Sequence, residues 1–337
     1  EPGASEQSPS DWWAAVRSVV VDLGRAVPTD RWAGIGLSGM IPTLVPSDGW
    51  ATALGPAITW EDGRAEEFGD GLREGVGAES LYQRTGQWVD GRYLLPMAVR
   101  LAAVGALSPA ATSLLGAKDW LFARLTGVVA TDPSTATGSG CFDLSSGGYA
   151  EDVLAAADAH AGRRLPRPAP VVASTTSYPV RDDVAAELGL PRHLAVTVGA
   201  ADSVCGVLGL GVHSPGDVVV IAGTSTVILG VSDERVVDPR HRYLVTPLAL
   251  EGYGLEMDLL ATGSGVAWLA DLFGIEGPPA VQELAHGVDP AGPDVPTFLP
   301  YVAPGEQGAL WDPTLAGTVE GLTMRTTPAL MARGFMT

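Results

Sequence analysis

The chain has 337 residues, of which 46% are hydrophobic and 18% are charged. A single hydrophobic core stops growing at about 250–300 residues, so this length predicts two domains with a cleft between them. The formal net charge of −19 argues against nucleic acid as a partner, because that binding depends on Lys and Arg. Neither a glycine-rich loop ending in Lys-Ser/Thr nor a Cys or His metal-ligand spacing occurs in the sequence, which excludes a P-loop and a zinc site.

The apolar runs and the cysteines of the sequence indicate in which cellular compartment the protein lies. Apolar runs such as Val218–Ala222 are far shorter than the roughly 20 residues that span a bilayer. No basic-then-apolar signal opens the sequence. Cys141 and Cys205 do not form a Cys-x-x-Cys pair. These features predict a cytoplasmic protein with reduced thiols, no membrane contact and no metal site of its own.

The first third of the chain is predicted to be a helix followed by a strand meander. Apolar residues at helical spacing predict a helix that begins at Ser10 as N-cap and ends near Val27. Extended segments are predicted at 33–39, 44–45 and 57–60. Glycine and proline then separate mainly helical segments near 63–76, 93–104, 108–116 and 118–125.

A second strand-rich stretch begins at Leu194 and enters an apolar helix that ends near Leu210. Further strands are predicted near 217–222, 226–231, 243–247 and 255–260, before a helix from Gly263 through Phe273. Turn residues near 212–216 indicate the predicted domain boundary, which gives domains 1–213 and 214–337.

The chain does not begin with Met and its last segment reads as an uncapped helix, so we expect the native protein to extend beyond both ends.

Asp202 follows a predicted strand and the turn Gly199-Ala-Ala, in an apolar setting. One interpretation is a helix N-cap, which satisfies backbone amides and is worth about 1 kcal/mol. The other is a general base that faces the cleft and takes a proton from a substrate hydroxyl. The residues alone leave both interpretations open.

Two glycine-containing turns are candidates for phosphate binding. Gly223, Thr224 and Ser225 lie between two apolar strands, where successive amides of a tight turn can cradle phosphate oxygens. Gly263 opens a predicted helix, whose N-terminus offers backbone amides and the positive end of the helix dipole. An ordinary hairpin and an ordinary helix start are the alternatives.

The segment 58–64 combines an aromatic ring with charged residues. Trp60 and Asp62 are the mix expected of a small-molecule pocket, with the Trp60 ring stacked on a sugar. The alternative is a buried tryptophan beside a solvated ion pair between Asp62 and Arg64.

Eight short motifs occur in an order that resembles the FGGY carbohydrate kinases, and most of all their xylulose kinase branch. They are Gly36-Leu-Ser-Gly39, Ala57-Ile-Thr-Trp-Glu-Asp-Gly-Arg-Ala65, Ala117-Lys-Asp-Trp-Leu121, Arg124-Leu-Thr-Gly127, Thr131-Asp-Pro-Ser134, Gly199-Ala-Ala-Asp202, Gly223-Thr-Ser225 and Trp311-Asp-Pro313. Together they cover nearly the whole chain.

The resemblance implies an α/β fold of two ribonuclease H-like (actin-like ATPase) domains around a cleft, both incomplete in this chain. It implies ATP-dependent phosphorylation of a sugar hydroxyl, with ATP and Mg²⁺ required. Asp202 matches the general base, with Ser203 beside it in the substrate site. Thr224 and Gly263 match positions near the nucleotide phosphates, and Trp60 matches a ring that lines the sugar pocket. The implied partners are a small sugar and ATP, and a homodimer is left open.

The sequence departs from the family at the sugar site and at both ends. Xylulose kinases carry Gln-Met-His-Gly after Ser-Gly and glycerol kinases carry Arg-Glu, whereas this chain has Met-Ile-Pro-Thr at 40–43. Ile41 and Pro42 are therefore predicted to line a less polar sugar pocket.

The family's Asp-x-Gly-Thr phosphate loop would precede Glu1, and its glycine-rich adenine loop would follow Thr337. A xylulose-like ketose is the favoured substrate. Another sugar or polyol such as glycerol, or a noncatalytic sugar-binding role, are the alternatives.

Overall fold

The computed structural model describes residues 2–223, 225–302, 310–312 and 314–337. The chain divides into two units. The first comprises Glu1–Pro215, Val231–Val237 and Val245–Gly254, and the second comprises Gly216–Gly230, Asp238–Leu244 and Leu255–Thr337. Each unit mixes helices with strands, so the predicted α/β class is correct.

The first 209 residues supply most elements of the first unit. Its strands are β1 (Glu6–Gln7), β2 (Gly34–Gly39), β3 (Thr43–Ser47), β4 (Ala57–Thr59), β5 (Ser113–Leu115), β6 (Phe142–Asp143), β7 (Gly148–Tyr149), β8 (Arg167–Pro168), β9 (Ser177–Pro179) and β10 (Ala195–Ala201). Its helices are α1 (Pro9–Ala26), α2 (Glu66–Val76), α3 (Ala78–Thr85), α4 (Leu94–Ala103), α5 (Ala117–Thr126), α6 (Pro133–Thr137), α7 (Glu151–Ala161), α8 (Asp182–Leu188) and α9 (Asp202–Gly209). A short 3-10 turn, Thr29–Arg31, joins α1 to the segment before β2.

Strand β3 divides the interior of the first unit. Five strands pair in the order β1-β4-β3-β5-β8, and three more pair in the order β2-β10-β9. All five residues of β3 are buried, as expected of a strand that is covered on both faces. Leu44 belongs to an apolar cluster with Leu95, whereas its neighbour Val45 belongs to a second cluster with Phe122. Successive side chains of a strand point to opposite faces, so this one strand contributes to both clusters.

The remainder of the chain adds six strands and three helices within the described residues. They are β11 (Val218–Ala222), β12 (Thr226–Ser232), β13 (Leu244–Pro247), β14 (Tyr253–Leu259), β15 (Thr297–Leu299), β16 (Thr318–Glu320), α10 (Gly263–Phe273), α11 (Gly277–Ala285) and α12 (Pro328–Phe335). β11 and β12 pair antiparallel, with Ala222 opposite Thr226. The three helices pack on one another through Leu269, Val281 and Ala332.

Two sequence-based expectations for the first unit were wrong. The helix predicted at 108–116 is absent from the structure, and strand β5 occupies its end. Helix α1 begins at Pro9 with Ser8 in the N-cap position, whereas Ser10 lies inside the helix. Proline is favoured in the first turn of a helix because its missing N–H has no intrahelical partner there. The start of α1 follows this rule.

Candidate active site

The carboxyl ends of β2 and β10 lie side by side because the two strands run parallel. Their register places Gly39 beside Ala201. The chain continues from β2 into Ile41 and Pro42, and from β10 directly into Asp202. Open α/β sheets bind ligands just outside the carboxyl ends of their strands. The structure thus brings these candidate site segments to one edge of the sheet.

Asp202 is the first residue of α9 and its side chain is exposed. The N-cap position is held by Ala201, which has no side-chain oxygen, so the interpretation of Asp202 as an N-cap is wrong. Oδ1 of Asp202 accepts the N–H of the adjacent Ser203 at 2.8 Å. Ser203 itself is half-buried at the same helix start. The carboxylate stands at the positive end of a helix, where a negative charge is favoured.

Gly199 shapes the strand just before Asp202. The register of β10 against β2 shifts between Thr197 and Ala200, and Gly199 has φ of 73° in the region that favours glycine. A Cβ atom on Gly199 would lie 1.7 Å from the carbonyl oxygen of Leu37 on β2. Any other residue would force the two backbones apart. The glycine of the Gly-Ala-Ala turn is therefore required by close approach of two strands.

Trp60 is brought near Pro42 by the pairing of β3 with β4. The antiparallel register places Thr43 opposite Thr59. Pro42 precedes Thr43 and Trp60 follows Thr59, so both lie at one end of this strand pair. Both residues are half-buried. A Cβ atom on Gly138, just after α6, would lie 3.5 Å from Pro42, so α6 supports the loop from behind.

Asp62 forms a buried ion pair with Arg64. The sequence left open either a sugar contact or a solvated ion pair at this position, and the pair is not solvated. Its side chain is 2% exposed, and Nη2 of Arg64 lies 2.6 Å from Oδ2. Oδ2 also accepts the backbone N–H of Ser5 at 2.9 Å. Burial disfavours the charged form, but the hydrogen bonds from Arg64 and Ser5 outweigh it and lower the pKa of Asp62. The carboxylate therefore fastens the N-terminal segment to the β4 turn.

Sequence reasoning missed a buried polar cluster behind β10. Lys118 is 1% exposed, and its Nζ lies 2.7 Å from Oδ1 of Asp119 and 2.8 Å from Oδ1 of Asp132. Oδ2 of Asp132 accepts the backbone N–H of Ser134 at 2.9 Å and also the hydroxyl of Ser134. The hydroxyl oxygen of Ser134 in turn accepts the N–H of Ala201 at 2.9 Å. The cluster thus connects the only lysine of the sequence to the residue before Asp202.

The electrostatics of this cluster keep the lysine charged. Burial disfavours the ammonium of Lys118, but the two neighbouring carboxylates outweigh it and raise its pKa. Burial also raises the pKa of Asp119, and the ammonium of Lys118 offsets this only in part. A signal was present in the sequence, because a lysine in a segment rich in apolar residues needs polar or charged partners where it is buried.

In the second unit, two candidate phosphate-binding turns come together. The N–H of Gly263, the first residue of α10, donates to the carbonyl oxygen of Gly223 at 3.1 Å. The N–H of Gly223 donates to the carbonyl oxygen of Ser225 at 2.8 Å. The hydroxyls of Thr226 and Thr262 lie 2.8 Å apart and join the same two segments. Thr224, the fourth candidate, lies outside the described residues.

The described residues contain no group of three His, Cys, Asp or Glu side chains gathered as metal ligands. None of the helices in the described ranges has both the length and the apolar composition that a bilayer crossing requires. Cys141 is a buried thiol, and burial raises its pKa to about 12.

The comparison with known proteins decides the family. Residues 1–209 match the N-terminal domain of the FGGY family of carbohydrate kinases, and residues 218–337 match its C-terminal domain. The chain belongs to this FGGY family. The family inferred from the order of the eight motifs is therefore confirmed, and with it the fold of two actin-like α/β domains.

Individual relatives of this FGGY chain differ in the substrate that their names state. The chain is 30% identical to the xylulose kinase of Klebsiella pneumoniae, over 98% of this chain and 68% of the relative. It is 25% identical to the gluconokinase of Bacillus subtilis, over 95% of this chain and 64% of the relative. A crystal structure of the xylulose kinase from Rhodospirillum rubrum is similar with a TM-score of 0.88 and 29% identity, over 100% of this chain and 68% of that one. The FGGY chain thus spans about two thirds of the length of these relatives.

Proposed function

We propose that this chain forms the greater part of an enzyme that transfers the γ-phosphoryl group of Mg-ATP to a hydroxyl of a sugar. The observation that supports it most is the placement of Asp202, exposed at a helix start and at the sheet edge shared with Ile41 and Pro42. Family membership and the match of Asp202 to the general base of FGGY kinases support the same role.

Asp202 would act on the proton of the sugar hydroxyl. As the hydroxyl oxygen attacks the γ-phosphorus, the bond from that phosphorus to the bridging oxygen breaks and ADP leaves. The released proton goes to the carboxylate of Asp202. Such a base contributes about 10²–10⁴ in rate, and the remaining acceleration comes from positioning and charge stabilisation. Ser203 and Trp60 are proposed to contact the sugar, and Asp62 is proposed to support the pocket through its ion pair.

Gly223, Thr224, Ser225 and Gly263 are proposed to approach the phosphates of ATP. The hydrogen bonds between the β11–β12 turn and the start of α10 support this assignment, because they place a tight turn beside a helix N-terminus. Both features favour anions. Mg²⁺ would enter as part of the Mg-ATP substrate, since it is usually bound through phosphates and one or two carboxylates.

A xylulose-like ketose is the favoured acceptor, and another sugar or polyol is the second candidate because of Ile41 and Pro42. Proline has no side-chain donor and no backbone N–H to offer a hydroxyl. An apolar wall discriminates between substrates by only about 10–200-fold, whereas a hydrogen-bonding site rejects an analogue that lacks the hydroxyl by about 10⁴ or more. We expect loose specificity. A preference for xylulose above about 10³-fold over every other ketose and polyol would contradict this pocket.

Asp202→Asn tests the proposed base on the intact native protein. Asn keeps the size of the side chain but takes no proton at neutral pH. The variant should melt near the wild-type temperature, bind sugar and ATP, and show kcat lowered at least about 100-fold. A near-normal kcat would remove Asp202 from the mechanism.

Asp182→Asn is the matched control. Asp182 is also the first, exposed residue of a helix, α8, and follows an N-cap residue that makes no side-chain cap bond. Loss of a carboxylate from a helix start should by itself change the helix dipole interaction and leave kcat near the wild-type value. An equal loss of kcat in both variants would assign the effect to helix stability.

A further inference from the structure

The backbone that leads into Asp202 is held by side chains from a distant part of the sequence. The N–H of Ala201 donates to the hydroxyl oxygen of Ser134 at 2.9 Å, a contact across 67 residues. Ser134 is fully buried in helix α6. Ala201 is the N-cap residue of α9, so this bond acts at the point where strand β10 becomes the helix that carries Asp202.

Asp132 determines the direction of this hydrogen bond. Its Oδ2 accepts the hydroxyl hydrogen of Ser134, which leaves the lone pairs of the Ser134 oxygen to accept the N–H of Ala201. Asp132 is completely buried, and the ammonium of Lys118 lies 2.8 Å from its other oxygen. This ion pair fixes the side chain of Asp132 beside Ser134. Lys118 thus forms an ion pair with Asp132, and Asp132 and Ser134 form a directed chain of charge-assisted hydrogen bonds that ends on Ala201.

A second bond restrains the same strand end. The hydroxyl of Ser174 donates to Oδ2 of Asp132 at 3.3 Å, and its backbone carbonyl accepts the N–H of Gly199 at 3.0 Å. The strand end is thereby held at two positions, three residues and one residue before Asp202. Both restraints converge on the carboxylate of Asp132.

We infer that Ser134 is a positioning residue for Asp202, held in place by Asp132 and Lys118. The inference rests on the proposed role of Asp202 as base. It adds that the side chain of Ser134 fixes the position of the backbone next to Asp202. A displacement of about 1 Å in a reacting group can cost about 100-fold in rate. Because the restraint acts on the backbone beside the base, its loss should lower kcat and leave the binding of sugar and ATP largely unchanged.

Ser134→Ala, measured on the intact enzyme, removes the acceptor of the Ala201 N–H. We expect kcat to fall at least about tenfold, which is less than the loss of about 100-fold that a displacement of about 1 Å can cause. Both KM values should stay within about twofold of wild type. Ser134→Cys fills the same space with a weaker acceptor and should give an intermediate kcat. This second variant keeps the test decisive if the alanine variant does not fold.

Ser139→Ala is the matched control for stability. Ser139 is also buried in the first unit, and its hydroxyl oxygen accepts a backbone N–H, that of Cys141, at 3.2 Å. It should lower the melting temperature about as much as Ser134→Ala and leave kcat near wild type. An equal kcat in the Ser134 and Ser139 variants would overturn the inference.

The double variant separates positioning from a general structural role. In the Asp202→Asn background, Ser134→Ala should lower kcat by less than about twofold, because groups that act as a unit are strongly non-additive. A further tenfold loss would show that Ser134 does not act through Asp202 and would overturn the inference. If Asp202→Asn lowers kcat while Ser134→Ala matches its control, the positioning role alone fails. If Asp202→Asn retains kcat, the proposed base fails and the positioning role fails with it.

Discussion

The end of β10 in the first unit and the turn after β11 in the second unit are held by different means. At β10, the backbone N–H of Ala201 is bound by the side chain of Ser134, and a buried ion pair stands behind that side chain. At β11, the turn is held by backbone bonds from Gly223 and Gly263 and by a pair of threonine hydroxyls. The end of β10 is thus held through buried polar and charged side chains, whereas the turn after β11 is held mainly through backbone hydrogen bonds.

The difference matches what each region is proposed to bind. A general base acts through one atom whose position must be accurate, so a rigid support is useful. Phosphate groups are large anions that accept hydrogen bonds from several amides at once, and a turn supplies these without side chains. We therefore expect substitutions behind β10 to have larger effects than substitutions at the β11 turn.

Lys118→Met should produce the largest loss of stability. It leaves Asp119 and Asp132 buried without their cation, and removal of one partner from a buried ion pair costs about 3–5 kcal/mol. Urea unfolding at pH 7 measures this loss. Leu121→Met on the same helix is the control, and a volume-conserving swap should cost less than about 1.5 kcal/mol.

The same variant should respond to pH in a definite direction. The folded pKa of Asp119 is raised by burial, so the folded state binds its proton more readily than the unfolded chain does. Stability contributed by that group therefore increases as the pH falls. Without Lys118 the effect should grow, so the Tm difference between wild type and Lys118→Met should narrow as the pH falls from 7 toward the unfolded value of about 3.9. Identical shifts in both proteins would contradict this account of the cluster.

Asp62→Asn should have an intermediate effect. The variant weakens hydrogen bonds between a buried carboxylate and Arg64 and Ser5, which are worth about 2 kcal/mol in total. The pKa of Asp62 is lowered on folding, so its stabilisation is fully present above the unfolded value of about 3.9 and is lost as the pH falls through the folded value. The stability gap between wild type and Asp62→Asn should be constant from pH 7 to about 5 and narrow below about 4.

Asp183→Asn provides the comparison for that experiment. Asp183 also pairs with an arginine two residues away, but its side chain is 64% exposed. Solvent screens such a pair, so the urea midpoint should stay close to that of wild type. A loss as large as that of Asp62→Asn would mean that burial does not distinguish the two pairs.

Thr226→Val should have the smallest effect and should be confined to the nucleotide. It removes the hydroxyl contact with Thr262 between β12 and α10, at a cost of about 1 kcal/mol. If that contact sets the turn for ATP, KM for ATP should rise about fivefold, the equivalent of about 1 kcal/mol, with KM for sugar unchanged. Thr318→Val on the exposed strand β16 is the control. A rise in KM for sugar alone would contradict the assignment of this turn to ATP.

The sequence predicted elements with strong local signals and missed those without them. Helix α10 has the predicted bounds, because glycines mark both ends of an apolar run. Strand β5 lies within a segment predicted to be a helix, because three residues are too few to show a period of two. The Ser8 hydroxyl lies 2.7 Å from that of Ser10, and either serine alone satisfies the rule for an N-cap.

The candidate site shows the same limit. The prediction of Asp202 as a site residue rests on a local pattern, a strand followed by a Gly-Ala-Ala turn, and on the family resemblance. Ser134 belongs to the motif Thr131-Asp-Pro-Ser134, but its contact with Ala201 joins residues 67 positions apart. Local propensity carries no information on such pairs, and the presence of Lys118 as the only lysine of the sequence was the main available signal. Asp202 could therefore be proposed from the sequence, whereas the contact of Ser134 with Ala201 could not be predicted from it.

Gly199 has a consequence for how such enzymes can change substrate. The restraints on Asp202 described above come from Ser134, Ser174 and the tight approach of Gly199 to Leu37, and none of these residues belongs to the segment 40–42. The loop that is proposed to face the sugar can therefore accumulate substitutions while the proposed base, Asp202, keeps its position. A mutational library directed at residues 40–42 should retain many active members, whereas one directed at Gly199 should retain almost none. Divergence toward new acceptors would then proceed through the loop, with the strand beside it held constant.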